Sequence, residues 1–100
     1  MSDKKYSTIH YHNYLEIDKL LSIQNTRSAA LGKAAHDETL FIIMHQVYEL
    51  CVKQIMTELA SVCLLFRAEH ANVHNMNTLL LRLQRISSIL SLMVAHTNVL

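Results

Sequence analysis

Of the seven histidines in this 100-residue chain, one sits where an imidazole could do chemistry. His45 falls inside the most apolar run of the sequence. Phe41 lies one turn before it and Tyr48 nearly one turn after, so the three side chains project on one side of a helix. Such a residue is either a buried histidine hydrogen-bonded to a neighbour, or an imidazole at the wall of an aromatic pocket, available as a hydrogen-bond partner or acid–base group. Spacing alone leaves both readings open. Tyr11 and Tyr14, three apart with Leu15 adjoining, share one helical face and read either as core packing or as an aromatic plate for a flat ligand. His36, Asp37 and Glu38 read as a capping cluster. His10, His12, His70, His74 and His96 read as ordinary surface histidines, because neither His-Glu-x-x-His nor Glu-x-x-His occurs and the cysteines lack zinc spacing. No phosphate-binding glycine loop, nucleophile elbow or recognisable Cys-His pair is present.

The elements that must position these residues are helical. One Gly and no Pro argue against a turn-rich sandwich or barrel, and 51% hydrophobic residues exclude an intrinsically disordered chain. The length allows one domain or a piece of one. A net charge of +1, from 9 Lys+Arg against 8 Asp+Glu, argues against nucleic acid as a partner. Cys51 and Cys63, twelve apart in one periodic apolar run, read as reduced core residues of a reducing compartment. The first ten residues are polar, without the apolar core of a signal peptide. Leu40–Phe66 is interrupted by His45, Gln46, Glu49, Lys53, Gln54 and Glu58, which argues against a transmembrane helix.

Residues 1–9 read as a flexible polar tail. Residues 10–100 read as an all-α segment of one short helix followed by two long antiparallel ones. Tyr11–Ile23 carries apolar residues at spacings of three and four, with Asn13 as a possible N-cap. Gln24–Ala35 is a loop containing Gly32, the single glycine. A second helix starts near His36, with Asp37 as N-cap and Glu38 in the first turn. It runs to about Glu69, roughly 48 Å at 1.5 Å per residue. Gln46, Glu49, Lys53 and Thr57 form its narrow polar stripe, Glu49 and Lys53 a favourable i,i+4 pair, and most of its remaining circumference is apolar. After a polar joint at His70–Asn75, with Asn72 or Asn75 as N-cap, Thr78–Val99 forms the third helix. Its stripe is Leu79, Leu80, Leu83, Ile86, Leu90, Met93 and Val94. Three such helices form a layer that is apolar on both faces and needs a partner surface.

The run from His36 through His45 to Leu50, HDETLFIIMHQVYEL, resembles the signature segment of the tryptophan 2,3-dioxygenases, which reads H-D-E-x-L-F-I-I-x-H-Q-x-x-E-L-W. Upstream, Tyr11-x-x-Tyr14-Leu15-x-Ile17 resembles that family's Y-x-x-Y-L-x-L, and Arg82-x-x-Arg85 with its aliphatic ladder fits the segment that follows. The resemblance covers Tyr11–Leu100. It implies the N-terminal part of a larger helical haem-enzyme fold: a cytosolic homotetramer, dependent on haem b, that adds O2 across the indole C2–C3 bond of L-tryptophan to give N-formylkynurenine in tryptophan catabolism. His45 matches the histidine that hydrogen-bonds the substrate indole N–H. Phe41, Ile42, Ile43, Met44 and His45 match the substrate-binding stretch. Tyr11, Tyr14 and Leu15 match residues lent to a neighbouring subunit's pocket.

Two departures accompany the match. Cys51 stands where the family has Trp, and Val52 where it has a further aromatic residue. None of the seven histidines matches the family's haem ligand, and no arginine matches the one that clamps the substrate carboxylate. The expectation is a fragment or truncated product of a longer enzyme, inactive by itself. The alternatives are a non-catalytic helical module that associates with full-length subunits, or another haem enzyme on this scaffold, such as a tyrosine hydroxylase. Neither nucleic acid nor a membrane is expected as a partner.

Overall fold

A computed structural model of the chain describes residues 10–67 and 72–99. The expected tail, the expected helix end at Glu69 and His70 lie outside the described residues. Those described are all-α: α1 (Tyr11–Tyr14), α2 (Ile17–Leu20), α3 (Arg27–Ala30), α4 (Glu38–Phe66) and α5 (Val73–His96), followed by a 3-10 turn at Thr97–Val99. They divide into two compact units, one ending at Thr39 and one beginning at Leu40.

In the first unit, the single amphipathic helix expected over Tyr11–Ile23 is two short helices. Glu16, between them, adopts the left-handed region at φ 52°, a conformation that costs a non-glycine residue about 1–2 kcal/mol. Asn13 does not act as the N-cap; His10 precedes α1, and its side chain makes no cap bond. His12 Nε2 and Asp18 Oδ1, 2.8 Å apart, span the break. The expected loop contains α3, which ends in a Schellman motif: Lys33 N–H donates to Ser28 O and Gly32 N–H to Ala29 O. Gly32 takes φ +77° there, a position that favours a residue without a Cβ. Glu38 fastens this loop to the start of α4. Its carboxylate accepts from the Arg27 N–H (3.0 Å), the Ser28 N–H (2.9 Å) and the Ser28 hydroxyl, while Ser28 Oγ accepts from the Ala35 N–H. The Ser28 hydroxyl and amide, chiefly, hold the Glu38 carboxyl below the usual carboxylate range. Glu38 is therefore a loop clamp, where composition suggested only helix-dipole complementarity.

The second unit is an antiparallel helix pair. Tyr48 meets Met93, Glu58 meets Arg85 and Ser61 meets Arg82, so partners run backwards along α5 as they run forwards along α4. The start of α5 is set by Asn72, whose side chain accepts from the Asn75 N–H at 2.8 Å. That cap places the start at Val73, earlier than the Thr78 expected from apolar spacing. Met44, Val62, Leu79 and Ile86 form a thin buried core. Leu80, Leu83, Leu90 and Val94 of the expected stripe are exposed. Among the described residues the ion pairs are His12–Asp18 and Arg85–Glu58; the expected Glu49–Lys53 pair does not close. Cys51 is half-buried and Cys63 exposed, which corrects the reading of both as core residues. By length and composition Val73–Val99 is apolar enough to cross a membrane. Yet Arg82 and Arg85 within it engage Ser61 and Glu58 of α4.

Glu58 is 4% exposed and accepts from Arg85 Nη1 at 2.9 Å and from the Gln54 amide at 3.1 Å. Arg85 first, with help from Gln54, holds its carboxyl below the ordinary value. A lowered folded-state pKa means that the stabilisation is complete above the ordinary Glu range, ~4.3, and is lost as pH falls through the lowered value. Helix content followed by circular dichroism should therefore fall as pH drops below the ordinary Glu range. Arg85→Met should flatten that drop and lower the neutral-pH melting temperature by about 5 °C or more. Parallel pH profiles for the two proteins would assign the acid response to other groups.

Candidate functional site

His45 projects from α4 and is exposed, not buried. Its Nδ1 lies 2.8 Å from the Phe41 carbonyl oxygen. A carbonyl only accepts, so Nδ1 carries the proton and, in the neutral ring, Nε2 presents a lone pair. The Phe41 ring lies against the imidazole, with centroids 4.2 Å apart and planes tilted by 35°. Tyr48 meets it edge-on at 6.2 Å. The three side chains singled out by spacing are thus brought together, with the histidine in one tautomer beside two aromatic rings. Phe41 remains 56% exposed, so the arrangement is an open surface and not an enclosed cavity.

The residues of the expected substrate-binding stretch lie on different sides of α4. At 100° per residue, Ile43 points away from Phe41. Met44 is buried in the core of the helix pair and Ile42 is half-buried. Phe41 and His45 face outward together, whereas Met44 holds their helix against α5.

In the first unit, Tyr11 and Tyr14 lie on α1 at i and i+3, with Leu15 as its C-cap residue. Tyr11 is 76% and Tyr14 70% exposed, so the core-packing reading does not hold within this chain. Leu15 also lines a shallow groove with Glu16, Lys19, Leu20 and Ile23. No group of three His, Cys, Asp or Glu side chains with metal-holding geometry occurs among the described residues.

His96, expected on the surface, is half-buried. Its ring packs edge-on against Tyr48 at 5.6 Å, and its Nε2 is buried without a hydrogen-bond partner. Tyr48 donates its hydroxyl to the Met93 carbonyl at 3.3 Å. Sequence spacing placed Tyr48 beside His45, but its tie to α5 is a contact 45 residues distant in the chain and carries no local signal.

The family model described as tryptophan 2,3-dioxygenase matches residues 1–100. A protein of that name from Bdellovibrio bacteriovorus is 47% identical over 96 residues, which is 96% of this chain and 27% of the relative. Those from Xenopus tropicalis and Mus musculus are 45% and 43% identical over 91 residues, in each case 90% of this chain and 22% of the relative. The chain therefore spans about a quarter of the length of the relatives it matches.

Proposed function

The chain belongs to the tryptophan 2,3-dioxygenase family, and on that premise we propose that it is the N-terminal, substrate-facing segment of an enzyme that opens the indole ring of L-tryptophan with O2 to give N-formylkynurenine. The observation that carries this reading is the state of His45. With Nδ1–H committed to the Phe41 carbonyl, Nε2 is an acceptor, and the indole N–H of tryptophan is a donor with no acceptor capacity. The two are complementary without any proton movement. Phe41, tilted against the imidazole, offers the indole an aromatic face beside the hydrogen bond. Orientation is the contribution asked of these residues: a substrate held by one hydrogen bond and one ring face has its reacting edge fixed.

Haem b is the cofactor of this reading, and when bound it supplies the centre that activates O2. Phe41 and His45 suit the substrate side of such a site. The axial ligand is assigned to no residue of this chain. A homotetramer in which Tyr11, Tyr14 and Leu15 complete a neighbour's pocket belongs to the same proposal, supported by the exposure of both tyrosines. A cytosolic setting belongs to it as well. Cys51 and Cys63 are free and lie twelve residues apart on one helix, about 18 Å and so beyond disulfide reach. The pairing of Arg82 and Arg85 with α4 favours a packed helix over a membrane span for α5.

The test is a graft. Residues 10–100 replace the matching stretch of the Bdellovibrio bacteriovorus relative, and N-formylkynurenine formation is followed by absorbance. Turnover within about tenfold of the parent is expected, a loss of no more than 1.4 kcal/mol. A graft that folds and loads haem but leaves tryptophan unchanged would overturn the reading.

A further inference from the structure

We propose that Tyr48 is a positioning residue for His45, held in place by the last turns of α5; the inference rests on the reading of His45 given above. His45 has one ring nitrogen tied to its own helix, by the bond from Nδ1 to the Phe41 carbonyl. The Tyr48 ring meets the imidazole edge-on, at 6.2 Å and an interplanar angle of 89°.

Tyr48 is itself fixed from α5 at two points. Its hydroxyl donates to the Met93 carbonyl at 3.3 Å, and the His96 ring packs edge-on against it at 5.6 Å and 76°. With His96 Nε2 buried and unpartnered, the imidazole contributes a ring face there and not a hydrogen bond. The result is a continuous line of rings, Phe41, His45, Tyr48 and His96, that joins the exposed imidazole on α4 to the end of α5. The orientation of His45 is thereby coupled to the packing of the helix pair. A side chain that only filled space between the helices would need neither the hydroxyl anchor nor the edge-on approach to His45.

The test is a double-mutant cycle in the haem-loaded graft, comparing Tyr48→Leu, His45→Ala and the double variant, with kcat and KM for tryptophan measured separately. Nitrogen-15 spectra of the histidine rings, with His45 assigned by difference from His45→Ala, report its tautomer. Tyr48→Leu should lower kcat/KM by about 2- to 13-fold, the size of one aromatic-pair contact. It should have no further effect once His45 is Ala, and the His45 ring should change from one tautomer to a mixture. An equal loss on both backgrounds, with the tautomer unchanged, would overturn the inference and leave Tyr48 a packing residue. If His45→Ala itself leaves tryptophan turnover intact, the underlying reading fails first and the inference with it. Should Tyr48→Leu not fold, Tyr48→Phe carries the test. It keeps the ring and loses the Met93 bond, so it should give a smaller loss that again disappears on the His45→Ala background; an additive loss would overturn the inference.

Discussion

Purified alone, the 100-residue chain should sediment as a concentration-dependent mixture of associated species. The reason is the balance of its surfaces. The described core consists of Met44, Val62, Leu79 and Ile86, whereas Leu21, Leu31, Leu64, Phe66, Leu81 and Val94 are each more than half exposed. Each large apolar side chain left in water forgoes roughly 1.5–3 kcal/mol that burial would return, and exposed apolar surface on this scale favours association. Association is favoured by mass action, so the weight-average mass should rise severalfold over a hundredfold range of concentration. Melting should be broad at low concentration. A compact monomer at every concentration, with a sharp cooperative melt, would contradict this expectation.

His45→Ala in the graft should reduce kcat/KM for tryptophan while leaving haem content unchanged. The geometry separates the two effects. His45 offers Nε2 to the open side and is flanked by rings, a setting for a neutral hydrogen-bond acceptor. A hydrogen bond between neutral partners has a net worth of about 0.5–1.5 kcal/mol. At tenfold per 1.4 kcal/mol, the loss from that term is roughly 2- to 13-fold. His45→Gln, which can still present an acceptor oxygen, should recover part of it. Loss of haem with the substitution would move His45 from substrate contact to iron ligation or to structure.

Much of the site was legible because its key spacing is local. Phe41, His45 and Tyr48 lie within two turns of one helix, so helical periodicity alone puts them on one side, and the HDETLFIIMHQVYEL run supplied the chemical reading. The all-α class followed in the same way from one glycine, no proline and long runs without breakers. What was missed is non-local or strained. Glu16 breaks the first helix by adopting a left-handed conformation that its residue type gives no reason to expect. Glu38 reaches back ten residues to Ser28, and Tyr48 reaches forward 45 to Met93. Met44 lies between Phe41 and His45 in sequence yet faces the core, because consecutive helical residues diverge by 100°.

The most direct test of the central claim, that His45 holds the indole N–H of the substrate, compares tryptophan with 1-methyl-tryptophan in the graft, with and without His45→Ala. The methylated substrate lacks the only hydrogen that His45 Nε2 could accept from the ring. The account predicts that kcat/KM for tryptophan falls by roughly 2- to 13-fold on substitution, whereas that for 1-methyl-tryptophan is nearly unchanged. Equal losses for the two substrates would contradict it and make His45 a structural residue of α4.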